Sequence, residues 1–361
     1  MEKTVGYAVV GLGVGRNHVT AAADAKGGKL VAVCDLRQDR LDRMVNILKE
    51  RGTYPEDLKL YSDFDEMLKD PEIDVVSVCT PSGTHAELAI RALNAGKHVL
   101  VEKPMDIEVE RILEIEKARV RTGLKVGGIF QNRRNAVMEP VKKAVENGDL
   151  GEIFTGFFRV NWHRTDEYFL ESGGWRGTWA MDGGGSLMNQ GVHTVDIMQW
   201  LLGDVASIRS ETRIINHNIE TEDFTNSIVK FKSGAIVNLI STTCARPGFG
   251  TDIQLTGTKG SIHVDAETLI RWCICRDGAT HEEIVAEERE MLAKYGAVKS
   301  TGSADPTAIT LRGHAYQVQD MIDAVRFDRD PMVGPMEATK AVRIINAVYE
   351  SARTGKEIFF D

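Results

Sequence analysis

A glycine-rich turn near the start of the chain is the first feature that could carry chemistry. A short apolar run, 5–10, ends in Gly11, Gly13 and Gly15, with Val14 before the last of them, and an alanine-rich helical pattern follows. Glycines let a backbone approach a pyrophosphate, and N–H groups at the start of the next helix point towards it. The turn is one residue shorter than the G-x-G-x-x-G fingerprint. Taken alone, it is also typical of a plain strand-to-helix connection.

An acidic residue after the next strand pattern favours a dinucleotide site. Asp35 closes the apolar run 30–34, about twenty positions after the turn. A carboxylate there accepts hydrogen bonds from both ribose hydroxyls of NAD and would repel the extra phosphate of NADP. We therefore predict a site for NAD, with NADP less favoured. Arg37 is assigned to the same site, and its presence leaves open that the protein uses both NAD and NADP.

Strands and helices alternate strictly in the first third of the chain, which predicts a doubly wound parallel sheet of the Rossmann type. Beyond residue 130 the strand patterns become longer and alternating, and 206–275 is mostly strand, which predicts an α+β domain with a large, open, mostly antiparallel sheet. We predict domains at 1–128 and 129–361. An amphipathic helix, 186–202, follows three glycines, helices close the chain, and 295–306 is predicted as a loop.

Composition excludes several classes of protein. The 361 residues carry a net charge of −9, which opposes binding to nucleic acid, and 42% hydrophobic with 27% charged residues is typical of a globular chain. We find no run long enough for a membrane span. Five cysteines, an odd number, mostly lie in apolar runs, which predicts reduced thiols and a cytoplasmic location. The nine histidines form no metal-binding spacing, so no metal is predicted.

Three longer motifs resemble the Gfo/Idh/MocA oxidoreductase family. They are C-T-P-S-G-T-H at 79–85, G-K-H-V-L-V-E-K-P at 96–104, and G-G-G-S-L-M-N-Q-G-V-H-T-V-D at 183–196. The second contains the E-K-P signature of that family, and the resemblance covers essentially the whole chain. It implies a Rossmann domain joined to a domain with a large open sheet, which agrees with the alternation described above.

The resemblance also implies catalytic roles. Lys103 of the E-K-P motif follows a strand at the carboxyl edge of the parallel sheet and would stabilise developing alkoxide charge. His193 matches the family's acid/base histidine, and Asn189 lies one helical turn before it. Many family members carry Asp in place of Asn189, and branches acting on nucleotide-linked uronic sugars carry Asn. An acidic sugar and a neutral sugar therefore both stay open.

The remaining site residues fall into two predicted groups. Besides the residues of the glycine turn, Asp35, Arg37 and Lys103, the cofactor group comprises Thr80, Pro81, His85, Glu102, Trp175 and Arg176. Besides Asn189 and His193, the substrate group comprises Gln131, Arg133, His163, Arg164 and Tyr168. Aromatic rings among hydrogen-bond donors suit a sugar ring, although a tryptophan-rich loop packed on the sheet is the alternative.

These predictions combine into an NAD-dependent dehydrogenase that oxidises a secondary ring hydroxyl of a sugar, cyclic polyol or sugar derivative to a ketone. Two alternatives remain open. One is a glycosidase that uses tightly bound NAD for transient oxidation, and the other is a non-catalytic sensor of sugar or NAD on the same fold. The carbohydrate is the only predicted small-molecule partner besides the cofactor. A homodimer or homotetramer is expected, because an open sheet leaves one face to be covered.

Overall fold

The computed structural model describes residues 4–171, 173–296 and 311–361, which divide into two units. The first unit contains six strands and the helices between them. Their bounds are β1 Val5–Val10, α1 Arg16–Asp24, β2 Gly28–Cys34, α2 Gln38–Glu50, β3 Lys59–Tyr61, α3 Phe64–Leu68, β4 Val75–Val78, α4 His85–Asn94, β5 His98–Val101, α5 Val109–Thr122 and β6 Val126–Gly128.

The six strands of the first unit form one parallel sheet in the order β3-β2-β1-β4-β5-β6. The central strands are almost entirely apolar because helices cover both faces of such a sheet, and every residue of β1 and β4 is buried. The predicted Rossmann arrangement is confirmed. Strand β3 was not predicted, since its three residues are only partly buried or exposed.

The structure differs from the predicted division at 128/129 in one respect. The first unit runs to Gln131. A separate later stretch of the chain, which contains helix α10 Leu311–Arg326 and the start of α11 Pro335–Thr354 and ends at Val342, belongs to the first unit as well. Its physical reason is apolar burial: Val318, Met321 and Ile322 of α10 are fully buried in the core of the parallel sheet. An amphipathic pattern shows that a helix buries one face, but it does not show against what.

The second unit is built on an eight-stranded sheet of order β13-β12-β11-β7-β10-β9-β8-β14. Only β7 and β10 pair in parallel; the other neighbours are antiparallel, as predicted. The bounds are α6 Met138–Glu146, β7 Ile153–Asn161, α7 Asp166–Leu170, α8 Val192–Leu202, β8 Val205–Arg213, β9 Phe224–Phe231, β10 Ile236–Thr242, β11 Gly250–Gly257, β12 Gly260–Asp265, β13 Thr268–Ile274, α9 His281–Tyr295 and β14 Ile358–Phe359.

Two further predictions concern the helices. The predicted helix 186–202 consists of a π-helical segment, Ser186–Gly191, followed by α8. Of the predicted loop 295–306, residues 297 onward lie outside the described residues. Within the described ranges, no helix is both long and apolar enough to cross a membrane.

Candidate active site

The glycine turn joins β1 to α1 and has the features of a phosphate site. Gly11 has φ +86°, and a Cβ there would lie 2.5 Å from the carbonyl oxygen of Cys79, so glycine is required. A Cβ on Gly13 would meet nothing within 4 Å, which leaves the backbone there open to a ligand. Among the described residues no side chain caps the start of α1. Its N–H groups therefore fit a pyrophosphate.

Asp35 is the residue that places a carboxylate beside this turn. Its side chain is 6% exposed, and its two oxygens accept hydrogen bonds from the backbone N–H of Leu12 at 2.7 Å and of Arg37 at 2.9 Å. Arg40 lies 3.4 Å away, while the guanidinium of Arg37 pairs with Asp39. The carboxylate is thus fixed next to the turn, and its contact with the ribose of a bound dinucleotide stays a prediction.

Replacing Asp35 with serine is expected to raise the KM for NAD by about 10- to 100-fold, since charge-assisted hydrogen bonds to the ribose are lost. The ratio of kcat/KM for NADP over that for NAD is expected to rise. Steady-state kinetics with both cofactors measure this, and Asp39→Ser, which replaces an exposed carboxylate in the first turn of α2, is the control. An unchanged KM in Asp35→Ser would contradict the assignment.

Two loops after β4 and β5 are joined by a buried histidine. The ring nitrogens of His85 lie 2.7 Å from the carbonyl oxygen of Thr80 and 2.8 Å from that of Pro104. The hydroxyl of Thr80 also contacts that of Thr84, at 2.7 Å. His85, predicted as a cofactor residue, thus bridges the loop of Thr80 and Pro81 to the E-K-P turn. Direct contact with the cofactor stays a prediction.

The E-K-P turn follows β5 and presents Lys103 at the carboxyl edge of the sheet. Lys103 is partly buried, and its backbone N–H donates to the carboxylate of Glu102 at 2.9 Å. Glu102 itself is only 2% exposed, and its other oxygen receives the side chains of His18 and His314. Its predicted cofactor role stays untested, but the carboxylate is occupied inside the unit. Sequence reasoning missed this cluster because its members are 84 and 212 positions apart.

In the second unit, the π-helical segment and α8 expose two predicted catalytic residues. Between 184 and 199 every residue is buried except Asn189 and His193, which are partly exposed. The side-chain amide of Asn189 donates to Asp182 at 2.7 Å, and Asp182, which is 1% exposed, also accepts from the backbone of Gly177. A buried carboxylate, which sequence reasoning missed, therefore fixes the orientation of Asn189.

A second buried carboxylate holds the start of this segment. Glu222 accepts hydrogen bonds from the backbone N–H of Leu187 at 2.7 Å and Gly185 at 2.8 Å, and from the hydroxyl of Tyr349 at 3.2 Å. Burial raises the pKa of Glu222 to about 7, although these hydrogen bonds oppose the rise. Glu222 lies 35 positions from Leu187 in the sequence, so no local pattern indicates this contact.

The pKa of Glu222 leads to a pH-dependent stability. A carboxyl with a raised pKa keeps its proton in the folded chain while the unfolded chain loses it, so the free energy of unfolding falls as pH rises from about 4.5 to about 7. The loss is expected to reach about 3 kcal/mol and to stay constant above pH 7. Urea unfolding at several pH values compares the slopes: Glu220→Gln, at an exposed neighbour, should keep the wild-type slope, whereas Glu222→Gln should lose this contribution to it. A retained slope in Glu222→Gln would contradict it.

Aromatic rings and guanidinium groups cluster next to Asn189. Tyr168 lies between Arg176, whose guanidinium carbon is 4.2 Å from the ring centroid, and Arg164, at 5.3 Å. The hydroxyl of Tyr168 donates to Asn189 at 3.4 Å and receives a hydrogen bond from Gln190 at 3.0 Å. Two cations thus flank the ring of Tyr168, whose hydroxyl contacts the predicted catalytic residue Asn189. The structure brings Tyr168, Arg164, Arg176 and Asn189 together, and Trp175 contacts Arg176.

The other predicted substrate residues make contacts of a structural kind. Arg133 is 8% exposed and makes a bidentate ion pair with Asp196, at 2.6 and 2.8 Å. Gln131 belongs to the first unit, next to Gly313. His163 forms a β-bridge with Cys244. Their contact with substrate stays a prediction.

Two family models match the chain. The model described as an oxidoreductase family with an NAD-binding Rossmann fold, GFO/IDH/MocA, matches residues 5–129, and the model of the C-terminal domain of the same family matches 138–263. The glycine turn and Lys103 fall in the first match, and Asn189 and His193 fall in the second.

Curated relatives and solved structures agree with these matches. The scyllo-inositol 2-dehydrogenase (NAD(+)) of Bacillus subtilis is 26% identical over 100% of this chain and 98% of its own. The myo-inositol 2-dehydrogenase of Thermotoga maritima is 29% identical over 71% of this chain and 74% of its own. The WlbA dehydrogenase of Bordetella pertussis, solved with NADH and UDP-GlcNAcA, is 28% identical with a TM-score of 0.84, over 99% of this chain and 98% of its own.

Proposed function

The chain belongs to the GFO/IDH/MocA oxidoreductase family, which binds NAD on a Rossmann domain, and from this premise we propose that it oxidises a secondary ring hydroxyl of a sugar or cyclic polyol to a ketone. One observation carries the proposal. On an otherwise buried segment, Asn189 and His193 are the two residues that reach the surface. An imidazole and an amide exposed in this way are suited to bind a hydroxyl and remove its proton.

The roles of the residues follow from the chemistry of alcohol oxidation. NAD supplies the hydride acceptor when bound. His193 takes the hydroxyl proton, because an imidazole can change protonation state near neutral pH. The ammonium of Lys103 donates a hydrogen bond to the same oxygen and stabilises its developing negative charge. Asn189, fixed by Asp182, orients the ring through its amide.

The substrate class can be tested with a panel. Purified protein and NAD are mixed with inositols, aldoses, anhydrosugars, glycosides and sugar acids, and NADH absorbance is followed. Sustained NADH formation with a polyol or sugar is the expected result. If no member of the panel produces NADH although thermal shift shows NAD binding, the proposal for free sugars and polyols is wrong. The two alternatives, a glycosidase and a sensor, gain no support from the relatives described above.

A nucleotide-linked sugar acid is a second candidate, favoured by a specific observation. Arg164 and Arg176 place two guanidinium groups against Tyr168, next to Asn189. Guanidinium groups recognise carboxylates and phosphates well. The WlbA structure contains UDP-GlcNAcA, a ligand with both groups. NADH formation with UDP-linked uronic sugars, compared with the free sugars in the same assay, decides between the two candidates.

The expected assembly and location are also proposals. Phe157, Ile228 and Ile236 lie on one face of the large sheet and are 40%, 45% and 48% exposed, while their chain neighbours on the other face are buried. We propose that a second copy of the chain covers this face, giving a homodimer or homotetramer whose mass sedimentation equilibrium measures. All five cysteines are free, which supports the proposed cytoplasmic location.

A further inference from the structure

A buried hydrogen-bond network lies directly behind Lys103. The two carboxylate oxygens of Glu102 receive three groups: the Nε2 atoms of His18 at 2.9 Å and His314 at 3.2 Å on one oxygen, and the backbone N–H of Lys103 at 2.9 Å on the other. His18, Glu102 and His314 are at most 2% exposed. Such a network is costly to bury unless its donors and acceptors are matched.

The contacts determine where the protons lie. Because both imidazoles turn Nε2 to one carboxylate oxygen, each carries its hydrogen there. Nδ1 of His18 then accepts from the hydroxyl of Ser77 at 3.0 Å, and Ser77 accepts from the hydroxyl of Tyr7 at 2.6 Å. Burial lowers the pKa of His18 and by itself would raise that of Glu102, but the hydrogen bonds from both histidines hold the pKa of Glu102 well below its ordinary value. The network therefore surrounds one carboxylate with three N–H donors.

The network connects distant parts of the first unit to one peptide. His18 lies on α1, directly after the glycine turn, and His314 lies on α10, whose apolar face is buried in the same core. The two rings also meet edge to face at 5.4 Å. A shift of either helix would displace the carboxylate of Glu102. Through its second oxygen, this carboxylate would in turn displace the backbone N–H of Lys103.

We propose that Glu102, held by His18 and His314, is a positioning residue that fixes the backbone of Lys103 and thereby aligns its ammonium with the reacting hydroxyl. The inference rests on the proposed function, in which Lys103 stabilises the alkoxide. It assigns α10, which is far from the glycine turn in sequence, a part in catalysis. A small misalignment of a catalytic group lowers the rate of the chemical step more than it lowers binding.

The test uses His314→Phe, which keeps a ring but removes the N–H donor. We expect kcat to fall by about 10- to 100-fold while the KM values for NAD and for the substrate change by less than about twofold. His314→Gln, which restores an N–H donor, should recover most of kcat. Glu102→Asp, which withdraws the carboxylate from Lys103, should lower kcat in the same way. This variant replaces His314→Phe in the test if His314→Phe fails to fold. Tyr316→Phe on the same helix is the control.

Several results would overturn the inference. One is a loss of stability in His314→Phe and Glu102→Asp without any change in kcat, which indicates a purely structural network. Another is stoichiometric zinc in the purified protein. The same three side chains could ligate a metal, and Glu102 would then bind the metal ion. The outcomes separate this inference from the proposed function. If Lys103→Met keeps its activity, the role of Lys103 is wrong; if only Lys103→Met loses activity, the positioning by Glu102 is wrong.

Discussion

The asparagine variant of His193 is expected to lose about 10²- to 10⁴-fold in kcat, because no other group is assigned to accept the hydroxyl proton. Asparagine keeps a polar side chain on the partly exposed face of α8, so the fold and NAD binding should be unaffected. Steady-state kinetics with the best substrate of the panel measure kcat, and fluorescence titration measures NAD binding.

Two comparisons make the His193 result specific. His281→Asn, at the exposed start of α9, controls for loss of a histidine and should keep full activity. If His193→Asn retains more than about a tenth of kcat, His193 is not the base. A fall in kcat that is accompanied by a fall in thermal stability would instead indicate a structural role.

Lys103→Met is expected to lower kcat by about 10²- to 10³-fold, since the variant removes the cation that stabilises the alkoxide. Methionine has a similar length and leaves the backbone N–H that donates to Glu102. Substrate KM should change less than kcat, because the interaction strengthens as charge develops on the oxygen.

The matched control for Lys103→Met is Lys117→Met, an exposed lysine of α5 that pairs with Glu114. This control variant should behave as the wild type. A Lys103→Met variant that loses only NAD affinity, with kcat preserved at saturating NAD, would show that the lysine binds the cofactor and takes no part in the chemical step.

Much of the fold follows from local patterns. Buried apolar runs predicted β1, β2, β4 and β5, because strands covered on both faces are almost continuously apolar. Strand β3 was missed because it is short and partly exposed. The π-helical segment before α8 was read as part of one α-helix, since both helices bury an apolar stripe of similar spacing.

The residues of the site likewise divide into those that local patterns predict and those that they do not. Lys103, Asn189 and His193 were predicted because they lie in contiguous motifs. Glu222 and His314 were not predicted, since each contacts residues far away in the sequence. Only the folded backbone brings each of them next to its partners. Local sequence therefore indicates candidates for ligand-facing residues, while the buried carboxylates and imidazoles around them become visible only in the structure.

In the proposed reaction, a hydride passes from a ring carbon of the substrate to NAD. The most direct test uses the best substrate of the panel, deuterated at its carbinol carbons, and mass spectrometry of the cofactor after one turnover. We predict that each reduced cofactor carries one deuterium, that the product is a ring ketone, and that Lys103→Met and His193→Asn slow its formation. Substrate consumption with an unlabelled cofactor would show that no hydride passes from these carbons to NAD.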